Sequence, residues 1–528
     1  MHLILHRLRW LLLLQALPFC SGQQVTVPRR TVTGTVVNGI SGEPIRRALV
    51  RLSGSFLANV LTGADGRFEI ADVPEGQFVI SPQKPGFFDS DSAAGDWPRP
   101  PVSFTVGSGK NDFRLTLFPA ARISGRVLDS DGEGVDNTQL QVLYEQITQG
   151  RKQWQPRSTA NTDDDGMYHM DELAPGRYIA FVNGRAAPSQ SWNSPRETIP
   201  PTYYPDAHDT VSAQQIELRP GQEFHADFNV RPARAFRVAG RVGGIPSTSG
   251  AAISFETSNG QTIWFDGMNF DPSRGQFAAE AVPAGTWTVV AWANDSQGHS
   301  YNARQEIAVS DADVTNVQLL LHPAASIPIT VNHAANAAEP VLTSQPVNPG
   351  LNATLISTEG LNLMYGAQMR GAPPALVFTD VIPGRYRFDV QTYGSECLES
   401  ARYGDVDLLR DSLVVGPEGA TQPLSINLRS DCSTLSVKLP SSEKETSGFL
   451  LVVPSSSTTE PKIVQIGTAN SASLMLSPGS YQVFAFDNLE GLEYANPEAL
   501  RQYSGQSISV DPGQKLELTV ELTERRKN

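Results

Sequence analysis

The sequence predicts an all-β protein built as a tandem array of about five β-sandwiches, and three observations carry that reading. The first is the stretch Asp65-Gly66-Arg67-Phe68-Glu69-Ile70-Ala71-Asp72-Val73-Pro74-Glu75-Gly76-Gln77-Phe78-Val79-Ile80, a tight turn, a short strand, a second turn and another strand. The second is that its latter half returns four times. The returns are Ala174-Pro175-Gly176-Arg177-Tyr178, Val282-Pro283-Ala284-Gly285-Thr286-Trp287, Ile382-Pro383-Gly384-Arg385-Tyr386 and Ser477-Pro478-Gly479-Ser480-Tyr481. The spacing is about one hundred residues, the size of a sandwich rather than of a solenoid repeat. The third is that no helical periodicity of useful length occurs. Glu498 to Tyr503, after Asn496-Pro497, is at most a short helical turn.

Each corner has a physical reason. Proline presets φ for the second position of a β-turn, and the glycine after it supplies a positive φ. The aromatic that follows opens an alternating strand: Tyr386, Phe388 and Val390 point to a core, while Arg385, Arg387 and Asp389 point to water. An aromatic entering a strand just after a corner resembles the tyrosine corner of immunoglobulin-like sandwiches.

The 528 residues exceed what one core can organise. Residues 1–22 read as a secretory signal: Arg7 and Arg9 precede Trp10-Leu11-Leu12-Leu13-Leu14, and Ser21-Gly22 offers small residues for cleavage. That run is too short to span a bilayer, and no later stretch in the mature chain is a transmembrane candidate. Cys20 stands where a bacterial lipoprotein carries its lipid, but Pro18 and the bulky Phe19 occupy positions where small residues are expected. The expected location is exported: periplasmic, outer-membrane-associated or extracellular.

The formal charge of the full sequence is −14, and because the leader holds two arginines and no carboxylate the mature chain is more acidic still, at −16. Acidic charge repels phosphate backbones, so nucleic acid is not an expected partner. The remaining cysteines, Cys397 and Cys432, are expected to pair in an oxidising compartment. Without nearby histidines they make a poor metal site.

The units are read as 23–118, 119–232, 233–323, 324–431 and 432–528. Val32-Thr33-Gly34-Thr35-Val36-Val37, Ile123-Ser124-Gly125-Arg126-Val127 and Val238-Ala239-Gly240-Arg241-Val242 open the first three. Ile327-Pro328-Ile329-Thr330-Val331 and Leu435-Ser436-Val437-Lys438-Leu439 open the last two more loosely. Junctions such as Leu321-His322-Pro323-Ala324-Ala325-Ser326-Ile327 contain no Gly/Ser linker, so a semi-stiff rod is expected.

On Gly34-Thr35-Val36, Gly42-Glu43-Pro44-Ile45, Asp65-Gly66-Arg67-Phe68 and Pro74-Glu75-Gly76-Gln77-Phe78, the first unit resembles the carboxypeptidase regulatory-like domain. The resemblance implies a transthyretin-like, seven-stranded Greek-key sandwich of the carbohydrate-binding-like folds. It extends to unit two and partly to unit three, while units four and five keep the corner alone. Tyr203-Tyr204-Pro205-Asp206, Tyr403-Gly404-Asp405-Val406-Asp407 and Phe484-Ala485-Phe486-Asp487-Asn488 are similar to segments of large exported acidobacterial repeat proteins. Such domains are accessory or binding modules, and the enzyme they are named for is a separate domain; fold alone does not give function.

Candidate sites are few. Asn161, Asp163, Asp165, Gly166 and Glu172 have the spacing of an EF-hand calcium loop, but their flanks read as strands and Asn161 replaces the leading aspartate. His169-Met170-Asp171-Glu172 matches the His-x-x-Glu pair of zinc carboxypeptidases without a third ligand. No nucleophile elbow, phosphate loop or dinucleotide fingerprint occurs, so no enzyme and no cofactor are expected. Isopeptide cross-links need a core lysine, and none lies between residues 233 and 430.

Aromatic loops remain. Trp97 in unit one, and Trp192, Tyr203 and Tyr204 in unit two, fall in long loops where rings can stack on sugars or fold back over a sandwich edge. Trp264, Trp287 and Trp292 read as core or strand-face residues. The expected function is a non-catalytic binding or scaffolding protein whose partner is a polysaccharide or a cell-envelope protein. The alternative is a purely structural or protein-interaction rod. A metal-dependent hydrolase accessory is the remote third.

Overall fold

The computed structural model describes residues 28–525 apart from 90–101, 108–110, 187–195, 247–250, 258–259, 266, 334–349, 359–362, 372, 441–447, 456–459, 468–469 and 490. The leader, Trp97 and Trp192 therefore lie outside the described residues. The described chain is strand almost throughout. Its one α-helix, Pro497–Leu500, starts where the Asn496 side chain accepts the Glu498 N–H.

Sheets come in pairs, five pairs along the chain. In the first sandwich one sheet runs Arg67–Pro74, Arg29–Asn38, Asp112–Pro119, Phe87–Phe88, and the other Ala58–Leu61, Leu49–Gly54, Gly76–Gln83, Val102–Val106. Val32, Val36, Val50, Leu52, Phe68, Ile80 and Leu117 fill the space between them. They alternate with exposed neighbours, as a strand with one wet face requires.

One pairing recurs in every sandwich. The opening strand lies antiparallel to the strand before the corner and parallel to a strand close to the end of the unit. The parallel partners are Gly34 with Phe113, Ile123 with Phe224, Val238 with Val314, Ile329 with Leu424 and Leu435 with Leu516. The parallel pair closes each unit's sheet on its own opening strand, while Glu197–Ile199 of the second unit also pairs with Ala233–Gly243 of the third, so that one sheet spans both.

The corners are built alike. A register shift precedes the corner in the first four units, and in three of them the bulged residue has left-handed backbone: Asp72, Glu172 and Asp380, at φ +59°, +55° and +57°. Corner glycines 76, 176, 285 and 479 have φ between +146° and +155°. Gly384 turns its corner without a left-handed φ.

The Asp-Gly turn of the first two units is also built alike. Gly66 and Gly166 have φ of +72° and +73°, and their carbonyls accept the amides of Val36 and Val127. A Cβ at Gly166 would meet the Val127 carbonyl oxygen at 2.6 Å. Asp271 and Gly275 supply the same turn in the third unit.

Residues up to Phe118 form one compact unit and those from Pro119 onward a second. Within the second, sandwiches two and three share a single apolar cluster. Ile179, Phe181, Leu143 and Tyr203 pack with Phe255, Phe265 and Trp287. The strand Gly176–Val182 is consequently buried on both faces, with Tyr178, Ala180 and Val182 in its own core.

Candidate functional site

Tyr203 is not a ligand-facing ring. It is 2% exposed, its ring centroid lies 5.1 Å from that of Phe181, and its hydroxyl donates to Gln261 Oε1 at 2.5 Å. It pins sandwich two to sandwich three. Tyr204 is half-buried and lies edge-on to Phe224 and Phe228, at 6.0 and 5.7 Å. Tyr203 has no surface left to offer a sugar, which corrects the expectation for that ring.

The calcium spacing resolves into a hairpin turn. Asn161 ends the strand Arg151–Asn161 and faces Gln139. Asp163 Oδ1 accepts the amides of Asp165 and Met167, at 3.0 and 2.8 Å. The Asp165 carbonyl takes the Arg126 guanidinium, and Glu172 is the bulge residue before the corner. Thr162 Oγ1 between them accepts the Thr138 amide and donates to the Val135 carbonyl, as Thr62 does with Ala48 and Ile45 in the first sandwich. The residues that the spacing groups as ligands therefore serve the chain itself. His169 sits exposed on the strand Met167–Leu173, opposite Ser124. Among the described residues no group of three or more His, Cys, Asp or Glu could hold a metal ion.

Cys397 and Cys432 are bonded, with Cα atoms 5.8 Å apart. The bond ties the strand Cys397–Tyr403 of sandwich four to the segment that enters Ser433–Lys438 of sandwich five. Ser477 at the fifth corner adds a hydrogen bond to the Leu398 carbonyl at 2.6 Å.

The most elaborate polar arrangement was not foreseen from the sequence. In sandwich two the hairpin formed by Gln139–Thr148 and Arg151–Asn161 outgrows its counterpart in sandwich one, Leu49–Gly54 with Ala58–Leu61. Its tip, Gln149-Gly150, has φ of +50° and +69°, the two-residue turn that matches strand twist. The Gly150 carbonyl accepts the Ala495 amide at 3.1 Å, and a Cβ on Gly150 would collide with the Tyr494 ring. The tip of sandwich two thus docks on sandwich five, beside the segment that buries Leu492 and Leu500 against Phe484 and Phe486.

Charges surround that contact. Glu460 of sandwich five pairs with Arg387 of sandwich four at 2.6 Å and with Arg151 of the hairpin at 3.5 Å. The Glu460 and Arg387 side chains are 12% and 13% exposed. Lys152 bridges Glu145 at 2.9 Å and Glu493 at 3.1 Å, and Arg177 also pairs with Glu145, at 2.8 Å. Burial pushes the Glu460 carboxyl up and the Arg387 guanidinium down, each opposed by the other's charge. Burial likewise raises Asp389, beside Arg387. The hydrogen bond from Lys152 to Glu145 holds that ammonium above its usual value.

Three sandwiches therefore meet at one hairpin tip, which a rod of nearest-neighbour contacts would not allow. Within residues 119–528 the rod expectation is corrected. The sequence signals were the long strands and the Gln149-Gly150-Arg151-Lys152 tip, a hairpin turn with adjoining cations.

Residues 31–111 match the model of the carboxypeptidase regulatory-like domain. Among solved structures the chain is similar to the shaft pilin SpaA of Lactobacillus rhamnosus GG. The identity is 10% over 39% of this chain and 98% of that one, with a TM-score of 0.20. It is also similar to the minor pilin GBS52 of Streptococcus agalactiae, at 11% identity over 38% and 96% of the two chains and a TM-score of 0.23. For the major pilin subunit BcpA of Bacillus cereus the values are 10%, 56%, 99% and 0.16. Likenesses at these identities and scores carry no information on function. The comparison with curated proteins found no match. Among the described residues no helix is long and apolar enough to cross a membrane.

Proposed function

We propose that this chain is an exported, non-catalytic scaffold that presents binding surfaces on β-sandwiches held in a set arrangement. The observation that carries the reading is the junction of Gly150 and Arg151 with Ala495, Glu460 and Arg387. Charged groups half or wholly withdrawn from water are expensive to pair, and replacing such pairs by apolar contacts often stabilises a fold. A chain that needed only loosely tethered sandwiches has no use for them. Their geometric demand suits a platform whose units must stay in register. Its partners are a cell-envelope protein or a polysaccharide, and the arginine-leucine leader is what supports export.

The test compares the full mature chain with a Gly150→Val variant by small-angle scattering and by hydrogen exchange at the Ala495 amide. The scaffold reading expects slow exchange at Ala495 in the parent. It also expects a wider distribution of dimensions, with fast Ala495 exchange, in the variant. Fast exchange in the parent, with scattering that requires sandwiches two and five to move independently, overturns it.

A further inference from the structure

Sandwich one carries an open sheet edge at Ala58–Leu61. That strand pairs antiparallel with Leu49–Gly54, from Leu49 opposite Leu61 to Leu52 opposite Ala58, and with no other strand among the described residues. The register shows which of its main-chain groups are spent. The Thr62 amide donates to the Ala48 carbonyl at 2.9 Å, so Ala48 and Thr62 form a hydrogen-bonded pair. Such pairs recur at every second residue of an antiparallel ladder, next at Val50–Val60 and Leu52–Ala58. Pro82 agrees, because it lies opposite Val50 on the far side and has no N–H to give there. The amides and carbonyls of Asn59 and Leu61 therefore point out of the sheet edge, away from Leu49–Gly54.

The side chains of the same residues are in water. Phe56, Ala58 and Val60 turn inward and pack on the core. Leu57, Asn59 and Leu61 turn outward, and the two leucines are 74% and 54% exposed. An open edge with large apolar side chains beside it is what soluble β-proteins ordinarily avoid. Sandwich two avoids it. Thr62 and Thr162 make the same bonds, so the equivalent positions there are Arg157, Thr159 and Asn161, with Pro156 beside them. A cation and a missing N–H blunt that edge, and the segment Leu57-Ala58-Asn59-Val60-Leu61 has neither.

The segment is its own complement. Turned end for end about Asn59, a second copy sets Leu57 against Leu61, Asn59 against Asn59 and Leu61 against Leu57. All three pairs use the outward main-chain groups, each exchanging two hydrogen bonds, and all three side-chain pairs fall on one face. Both leucines are then covered, and the two Asn59 side chains can bond each other. Arg51, opposite Asn59 on the inner strand, stays three strand spacings from its own copy, roughly 14 Å and beyond the screening length in physiological salt. Residues 28–118 also hold ten arginines and lysines against nine aspartates and glutamates. This sandwich can therefore meet a copy of itself without the repulsion that the rest of the acidic chain would impose.

We infer that two copies of this chain associate through sandwich one, by antiparallel pairing of residues 57–61 across a twofold axis. A strand this short buries less than the roughly 1,200 Å² of a standard interface, so the association is weak and concentration-dependent. It uses no residue of the hairpin junction and stands or falls apart from the scaffold reading.

The experiment is sedimentation velocity of the full mature chain from micromolar to millimolar concentration, beside Leu57→Lys/Leu61→Lys and, separately, Asn59→Pro. The first variant sets like charges against each other across the axis, and the second removes an outward amide. Thermal melts of the same samples report folding, and the exposed lysine pair keeps the test informative if proline unsettles the strand. The expected result is a monomer–dimer equilibrium in the parent whose Kd rises about tenfold or more in the folded variants. Hydrogen exchange at the parent's Leu61 amide should slow as concentration rises. A parent that stays monomeric at every concentration overturns the inference, whether or not the edge takes a strand from another protein. A dimer that the folded variants retain overturns it as well.

Discussion

Tyr386 donates its hydroxyl to the carbonyl of Ile382, four residues back, at 2.7 Å. The same bond joins Tyr178 to Ala174 and Tyr481 to Ser477, and Trp287 makes it to Pro283 through its indole nitrogen. In each case the ring enters the core and its polar tip ties off the corner that delivered it. Phe78 closes the first corner without a polar tip, so the bond is an increment and not a requirement. Tyr386→Phe should therefore lower stability by about 1 kcal/mol, the net worth of an ordinary hydrogen bond. Tyr386→Ala, which also empties a fully buried ring site, should lower it by roughly 3–5 kcal/mol. Urea unfolding followed by fluorescence measures both, and a Tyr386→Phe variant as stable as the parent would show that the hydroxyl contributes nothing.

The Asp163 turn separates structure from metal binding. Its carboxylate caps two amides, so Asp163→Ala should cost about 1 kcal/mol through the lost caps. The loss should be the same in calcium and in chelator, because the carboxylate acts through the two amides it caps. A parent melting temperature that rises with calcium while that of the variant does not would reinstate the ion.

Reduction should act on sandwiches four and five. The Cys397–Cys432 bond closes a loop of 35 residues of sequence separation. In the chain-entropy model such a loop is worth roughly 4 kcal/mol. Dithiothreitol, or the double variant Cys397→Ser/Cys432→Ser, should lower the unfolding midpoint by a comparable amount. Proteolysis should then cut first near Asp431, where the bond no longer holds the entry to sandwich five. Unchanged midpoints would mean that the packing around Cys397, itself 1% exposed, carries the junction alone.

The fold was legible because its signals are local. A Pro-Gly corner, an aromatic and an alternating strand are set by φ preferences and by period, and these hold wherever the sandwich sits. The site residues depend on what lies across a junction, which no window of sequence contains. Arg387 and Asp389 alternate as water-facing residues should, yet Arg387 meets Glu460 and is largely withdrawn from water. Tyr203 reads as a loop aromatic, and only the third sandwich makes it core. One clue was available. The run Tyr178-Ile179-Ala180-Phe181-Val182 is apolar without alternation, the mark of a strand buried on both faces, where Tyr386-Arg387-Phe388-Asp389 alternates.

The charged junction makes a pH prediction with a definite sign. Burial raises Glu460 above its ordinary 4.5 and Asp389 above 3.8, despite the opposing attraction of Arg387. A carboxyl whose folded pKa exceeds its unfolded one binds more protons when folded. Stability is then greatest below the unfolded pKa and falls as pH rises through the folded one. Residues 119–528 should thus lose part of the junction's contribution as pH climbs from about 4.5 into the raised range of Glu460. Glu460→Gln removes that titration and stands in for the protonated acid beside Arg387 and Arg151. The variant should match the parent below the ordinary carboxylate range and exceed it in stability at neutral pH, with a flatter profile between. Thermal melts across that range measure the difference. A variant less stable than the parent at neutral pH would show that the two arginines outweigh burial, and that the ion pair itself holds the hairpin tip in place.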